Sequence, residues 1–402
     1  MTNVAILGFG VVGGGVARLL TDNAKEVSRL GGDSVNIKYI LDLRDFPDSP
    51  FGNKVVHDYN IILEDAEIDT VIEVMGGSHP AYEYTVAALK KGKNVITSNK
   101  EVVANFGDEF LELAEKYSAS YRFEAAVGGG IPVISPMINC IGQNKISEVR
   151  GILNGTTNYI LTKMFSFGDS FDESLRDAQN RGYAERNPDA DILGTDACRK
   201  IAILGALMTG KLVPTDKIHT EGITKIRKED VEASAKVGLK IKLLGRCIIG
   251  DNGMNIMVAP FMLPEDMPLA AVSGVYNAVE VIGEPIGNVM FYGQGAGAGA
   301  TASAVVGDLV QVMRTGVAAA SPVMVKTADG VCDFDSFESR SYVSVSGGCQ
   351  NCVKSAFGEV QFLDTDREIA FITAKMSEKD TLDAIAKLSD KGIICNSRIR
   401  LI

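Results

Sequence analysis

The feature that most constrains this chain is a glycine loop set directly after an apolar run. Residues 3–7 (NVAIL) are followed at once by Gly8-Phe9-Gly10-Val11-Val12-Gly13, a G-x-G-x-x-G. A continuous apolar run of this length, ended by glycines, reads as a parallel strand buried on both faces. Each glycine then has a task. Gly8 permits a tight turn off the strand, Gly10 lets backbone approach a pyrophosphate, and Gly13 allows close contact between strand and following helix. The helix N-terminus offers unpaired N–H groups and a partial positive charge to phosphates. With 42 glycines in the chain the pattern alone is weak, and its place between strand and helix gives it meaning. Gly8, Phe9, Gly10, Val11, Val12 and Gly13 are therefore expected to hold a dinucleotide.

The following pattern agrees. A helix is expected over 13–29, strands over 35–41 and 69–74, a helix over 80–91 and a strand over 94–97. A helix over 106–117 and an extended stretch over 120–124 complete residues 1–130. Such alternation belongs to a parallel sheet covered by helices on both faces, a Rossmann-type α/β domain. The acid that meets a ribose hydroxyl should cap the second strand, where Asp42 stands. Arg44 follows and could pair with the extra phosphate of NADP, whereas Asp42 favours NAD. The residues leave both open.

From about 131 to 320 the texture changes to consecutive strands and helices, an α+β arrangement. Strands are expected at 146–153, 218–226 and 255–263, with helical runs between and after them. The Gly/Ala-rich stretch 293–309 leads into a helix reaching about residue 313, and the segment from about 293 to 320 is expected to pack back on the first domain. Residues 335–402 read as a small third domain. Strand 341–346, helix 349–356, strands 358–363 and 368–374, helix 377–391 and strand 393–402 give the order βαββαβ.

Composition narrows the partners. The 402 residues exceed one compact core, and 46% hydrophobic with 23% charged residues is ordinary for globular proteins. A net charge of −11 repels polyanions, so nucleic acid is not expected as a partner. No basic run long enough for a membrane-surface patch and no long apolar span is present, so no membrane association is expected. The start MTNVAILGFG lacks a signal-peptide pattern. Seven scattered cysteines fit reduced thiols and a cytoplasmic setting.

Residues 182–200 (GYAERNPDADILGTDACRK) carry a candidate substrate site. Asn187-Pro188 disfavours helix, so 183–188 reads as a loop, with a helix beginning near Gly194. Asp196 and Lys200, four apart, then share one face, and Glu185 projects from the loop before them. Two carboxylates and an ammonium so placed could grip a zwitterionic amino acid. An anonymous helix bearing Asp196 and Lys200 would more often be read as a surface ion pair.

Together with TSNKEVVA (97–104), EAAVGGGIP (124–132), ILNGTTNYIL (152–161) and GQGAGAGATASAV (293–305), this segment resembles the homoserine dehydrogenase family over residues 1 to about 320. The resemblance implies NAD(P)-dependent interconversion of L-homoserine and L-aspartate 4-semialdehyde, in threonine, methionine and isoleucine biosynthesis. It implies Lys200 as the proton donor, with Lys100 as a second catalytic candidate, and substrate binding by Glu185, Asp196, Asp191, Gly155 and Thr156. For the cofactor it adds Gly76, Gly77, Thr97, Ser98, Asn99, Lys100, Gly182 and Gly297. It implies a monovalent cation, sodium or potassium, on the Glu124 carboxylate and the carbonyls of Val127, Gly129 and Ile131; oxygen ligands suit hard cations. A homodimer or homotetramer is implied as well. Ala300 stands where the family commonly has proline. A non-catalytic nucleotide sensor would not need Glu185, Asp196, Lys200 and Lys100 together.

The βαββαβ unit resembles an ACT-type regulatory domain, which implies an amino-acid effector, although its first loop, SGGCQNC, departs from the usual acidic and Pro-Gly loop. The three histidines, His57, His79 and His219, lack metal-pair spacing and read as satisfied loop residues. Cys349 and Cys352 form a C-x-x-C without a partner pair and read as ordinary thiols.

Overall fold

The computed structural model describes the chain except for residues 316–320, 366 and 367. The described residues form two compact units with interleaved segments. One comprises 1–146, 202–217 and 282–328, the other 147–201, 218–281 and 329–402.

The first unit is built on a six-stranded parallel sheet. Its strands are β1 (Thr2–Leu7), β2 (Val35–Leu41), β3 (Val55–Val56), β4 (Thr70–Glu73), β5 (Asn94–Thr97) and β6 (Tyr121–Arg122), in the spatial order β3-β2-β1-β4-β5-β6. The order reverses between β1 and β4, the switch point where ligands bind against strand carboxyl ends in such sheets. Val4, Ala5, Ile6 and Leu7 are wholly buried, as a doubly covered central strand requires. Two expected helices differ from the structure. The stretch expected over 13–29 is two helices, α1 (Val11–Asp22) and α2 (Ala24–Gly31), divided at Asn23. The helix expected over 106–117 begins at Lys100 and runs to Lys116 (α4, after α3, Ala81–Lys90). Asn99 is the reason: its Oδ1 accepts from the N–H groups of Glu101 and Val102 and caps the helix.

Helix Ala298–Thr315 lies on α1 and α2. Val305, Leu309 and Val312 join Val16, Leu20 and Val27 in one apolar cluster. Gly15 permits the contact, because a Cβ there would sit 2.9 Å from the Ala298 carbonyl oxygen. Residues 316–320, the end of the segment expected to pack back, lie outside the described residues.

The second unit carries a mixed sheet. Its centre is the antiparallel pair Leu239–Gly250 and Gly253–Pro264, flanked by Lys145–Ile152 and then Tyr276–Glu284. The expectation named 146–153 and 255–263 but not 239–250 or 276–284. Of the expected strand 218–226 only His219–Thr220 is extended, paired with Met257 and Val258. On the other side Ile394–Leu401 joins in parallel at Phe261 and Met262, followed by Ser341–Ser346, Ile369–Thr373 and Val360–Leu363. With helices Gln350–Phe357 and Glu378–Ser389 these make the expected βαββαβ order, whose four strands lie 4-1-3-2. Val343, Phe371, Ala384 and Leu388 centre its core. Among the described residues no helix is long and apolar enough to cross a membrane.

Candidate active site

In the first unit the carboxyl edge of the sheet is an organised rim. Gly8 leaves β1 with φ +95°, a conformation open to glycine. A Cβ on Gly13 would lie 2.0 Å from the Gly8 carbonyl oxygen, so helix and turn touch through bare backbone. A Cβ on Gly10 would meet nothing within 4 Å, and Gly10 and Val11 are exposed where α1 begins. Phe9 is buried against Phe46 and Phe51, which fixes the loop. Asp42, just past β2, accepts from the Phe9 N–H at 2.8 Å and is held by Arg44 at 3.0 and 3.1 Å. The Arg44 guanidinium holds the Asp42 carboxyl down at about 2. Strand end and glycine loop are thus tied by one carboxylate.

The neighbouring strand ends are linked by a residue the sequence reading missed. Glu73, at the end of β4 and wholly buried, accepts from Thr97 Oγ1 at 2.6 Å and the Met75 N–H at 2.8 Å. Burial pushes its carboxyl up, against those hydrogen bonds. The Asn99 N–H donates to Thr97 Oγ1, and Asn99 Nδ2 donates to the Gly77 carbonyl at 2.7 Å. Gly76 and Gly77 both have positive φ. Ser98 closes this turn, its carbonyl accepting from the Lys100 N–H. Lys100 is the first residue of α4. Gly297, φ +113°, precedes helix Ala298–Thr315, and Thr301 N–H donates to its carbonyl.

Glu124 is buried in the same unit. Its Oε1 accepts from the N–H groups of Val133 and Ile134, at 2.7 and 2.8 Å, and its Oε2 from that of Ser135 at 2.6 Å. A carboxylate has about four lone-pair positions, so three are committed to backbone. The Glu124 N–H donates to the buried Asp308, whose carboxyl burial pushes up to about 8. Gly128 and Gly129 have positive φ, turning the chain sharply between Val127 and Ile131. Among the described residues there is no group of three or more His, Cys, Asp or Glu side chains that could hold a metal.

The second unit holds the other cluster. Thr195–Thr209 is helical, and Lys200 Nζ lies 2.8 Å from Asp196 Oδ2 and 2.7 Å from the Leu153 carbonyl oxygen. Asn154, also missed from sequence, binds this pair to a second carboxylate. Its Nδ2 donates to Asp191 Oδ1 at 2.7 Å and Asp196 Oδ2 at 2.9 Å. Its Oδ1 accepts from the Thr157 N–H and caps helix Gly155–Phe167. Burial raises the Asp191 carboxyl, opposed by the Asn154 hydrogen bond and reinforced by the Asp196 charge. An asparagine before Gly-Thr-Thr is a capping signal, which could have been found; its bridge to two acids is a tertiary fact.

Gly155 starts the capped helix, where a Cβ would lie 2.7 Å from the Val275 carbonyl oxygen. Thr156 is buried and donates to the Tyr183 carbonyl at 2.7 Å. Gly182 is exposed with φ +75°. The structure brings together Asp191, Asp196 and Lys200 but leaves Glu185 exposed on its loop, with its carbonyl accepting from Gln179. The three histidines are partnered: His57 with Asp42 and Asp45, His79 with Glu83, His219 with Glu221.

Two matched regions decide the family. Residues 8–124 match the family described as homoserine dehydrogenase, NAD binding domain, and residues 132–310 match homoserine dehydrogenase. The chain belongs to the homoserine dehydrogenase family. A homoserine dehydrogenase of Neisseria gonorrhoeae is 40% identical over 318 residues, 78% of this chain and 72% of its own length. One of Bacillus subtilis is 35% identical over 417 aligned residues, 97% of this chain and 95% of its own. The crystal structure of a homoserine dehydrogenase from Thiobacillus denitrificans superposes with a TM-score of 0.91 at 33% identity, over 100% of this chain and 98% of its own. A hyperthermophilic archaeal homoserine dehydrogenase mutant in complex with NADPH superposes at 0.66 with 28% identity, over 77% of this chain and 97% of its own. As a homoserine dehydrogenase this chain is an NAD(P)-dependent oxidoreductase, acting on L-homoserine and L-aspartate 4-semialdehyde.

Proposed function

We propose that Lys200 delivers the proton to the aldehyde oxygen when L-aspartate 4-semialdehyde is reduced, and removes it when L-homoserine is oxidised. The observation that carries this is the double anchorage of its Nζ between Asp196 and the Leu153 carbonyl. A lysine held in a mostly desolvated place can both stabilise a developing alkoxide and exchange a proton with it. Asp191 and Asp196, joined through Asn154, would receive the α-amino group, with Gly155 and Thr156 lining the helix start beside them. Glu185, exposed on the preceding loop, is the further carboxylate that the family resemblance proposes for the substrate. Lys100 is the second candidate for polarising the carbonyl.

A nicotinamide dinucleotide, when bound, supplies or accepts the hydride. Gly8, Phe9, Gly10, Val11, Val12 and Gly13 would hold its pyrophosphate, since the turn has no room for a Cβ at Gly13 and open space before Gly10. Asp42 and Arg44 would meet the ribose, with Arg44 able to reach a 2′-phosphate. Gly76, Gly77, Thr97, Ser98, Asn99, Gly182 and Gly297 would line the remainder. The NADPH complex of the archaeal relative supports NADP as one usable form.

A monovalent cation on the carbonyls of Val127, Gly129 and Ile131 would take the one lone-pair position left on Glu124. A homodimer or homotetramer in the cytoplasm is the assembly the family resemblance favours. The 4-1-3-2 strand order of the last unit suits an ACT-like domain and an amino-acid effector.

Absorbance at the reduced-nicotinamide band, with L-homoserine and each oxidised cofactor in turn, tests the reading. Reduction dependent on homoserine is expected. No absorbance change with either cofactor would end it.

A further inference from the structure

The roles proposed above use neither Cys349 nor Cys352, yet the geometry of this C-x-x-C is particular. Cys349 stands immediately before helix Gln350–Phe357 in extended conformation, and its Sγ accepts from the Cys352 N–H at 3.2 Å. It fills the capping place that Asn99 and Asn154 fill at their helices. Cys349 is exposed, and Cys352, the third residue of the helix, is half-buried. Hydrogen bonds from the Cys352 side chain and N–H lower the Cys349 thiol below its usual value, aided by the Asn351 N–H and the Lys391 charge and opposed by slight burial. Positions three apart at a helix start have Cβ atoms about 5–6 Å apart, a separation that small side-chain and backbone adjustments close into a disulfide.

The loop before the helix is pinned to its neighbour strand. Asn396 Nδ2 donates to Ser346 Oγ at 2.7 Å, and a Cβ on Gly348 would lie 2.8 Å from Ile393 Cδ1. The sulfur is therefore presented from a fixed turn. Cys198 and Cys247 are buried, and Cys140, though exposed, lacks a second cysteine near it in sequence.

We propose that Cys349 and Cys352 are a thiol–disulfide exchange site whose oxidant is a low-molecular-weight disulfide. The Cys349 thiolate attacks one sulfur of the small disulfide, whose S–S bond breaks and whose first half leaves as a thiol after taking a proton. The Cys352 thiol gives up its proton and attacks the Cys349 sulfur of the mixed disulfide, releasing the second small thiol. Two protein thiols are oxidised to one disulfide, and one small disulfide is reduced to two thiols.

The full-length protein, treated with oxidised glutathione and then iodoacetamide, reports this on one tryptic peptide, 341–354, which holds both cysteines. The expected product is a peptide two hydrogens lighter, carrying no alkyl group and restored by dithiothreitol. Cys352→Ser should stop at a persistent glutathione adduct on Cys349. Before oxidation, Cys349 should alkylate at neutral pH about tenfold faster than Cys140, as a thiolate-favouring site does. A peptide with both cysteines alkylated after the glutathione treatment, or a lasting glutathione adduct on the unaltered protein, would overturn the proposal.

Discussion

Lys200 and Asp196 lie one helical turn apart with Nζ and Oδ2 at 2.8 Å, both side chains almost wholly removed from solvent. An exposed pair of this spacing contributes little to stability. A buried one costs desolvation and persists where it serves a purpose or is well satisfied by other groups. Lys200→Ala is therefore expected to lower kcat by about 10²–10⁴-fold, the range of a lost proton donor. Cofactor affinity, followed by NAD(P)H fluorescence, should change little. Near-normal turnover would remove Lys200 from the mechanism.

Asn154 does two things that substitution can separate. Asn154→Ala removes the helix cap, worth roughly 1 kcal/mol, and the bridge between Asp191 and Asp196. Asn154→Ser keeps a capping oxygen but is too short to span the two acids. Both variants should raise KM for homoserine by at least about tenfold, because both charge-assisted hydrogen bonds of the bridge are lost, while the serine variant alone recovers the Tm. A KM restored by serine would mean that the cap, and not the bridge, matters.

The glycine loop offers a paired comparison. Gly13→Ala places a Cβ against the Gly8 carbonyl oxygen at 2.0 Å and must push turn and helix apart. Cofactor binding, measured by calorimetry, should fall below detection or by more than about a hundredfold, on the order of 3 kcal/mol. Gly14→Ala, whose Cβ meets nothing within 4 Å, should leave binding unchanged and stabilise the helix by up to about 1 kcal/mol. Equal effects of the two would mean that the close approach at Gly13 is not what holds the cofactor.

The last strand is fastened by charge. Arg400, wholly buried, donates to Glu378 and Glu221 at 2.6 to 2.9 Å. Removing one partner strands the others, so Arg400→Ala should cost roughly 3–5 kcal/mol in chemical denaturation. Burial pushes the Glu221 carboxyl up, but hydrogen bonds from His219 and Arg400 hold it well below its ordinary value of 4.5. A carboxyl lowered in the fold contributes stability above that value and loses it as pH falls toward its folded one. The unaltered protein should weaken below about pH 4.5, and Arg400→Ala should show a shallower acid dependence. Parallel pH profiles for the two would contradict this coupling.

The first unit was legible in large part because its signals are local. β1 lies where the apolar run placed it, with Val4, Ala5, Ile6 and Leu7 wholly buried, since a strand buried on both faces is written as an unbroken apolar run. Asp196 and Lys200 could be paired because helical period alone puts them on one face. The twelve-residue strand Leu239–Gly250 was missed, since LKIKLLGRCIIG mixes charge with apolar residues and neither period stands out. Its charges are accommodated by partners distant in sequence: Lys242 reaches Asn158 and the Val272 carbonyl, and Arg246 reaches Glu148.

The sequence by itself determined the glycine turn after β1, the strand–helix alternation of the parallel sheet and the helix carrying Asp196 and Lys200, because each depends on backbone sterics and spacing within a few residues. Only the tertiary structure decided that Asn154 joins Asp191 to Asp196, that Glu73 ties two strand ends, and that Glu124 spends its carboxylate on the N–H groups of 133–135. Burial obliges each of these polar groups to find a partner, and which partner is in reach depends on packing between segments far apart in the chain.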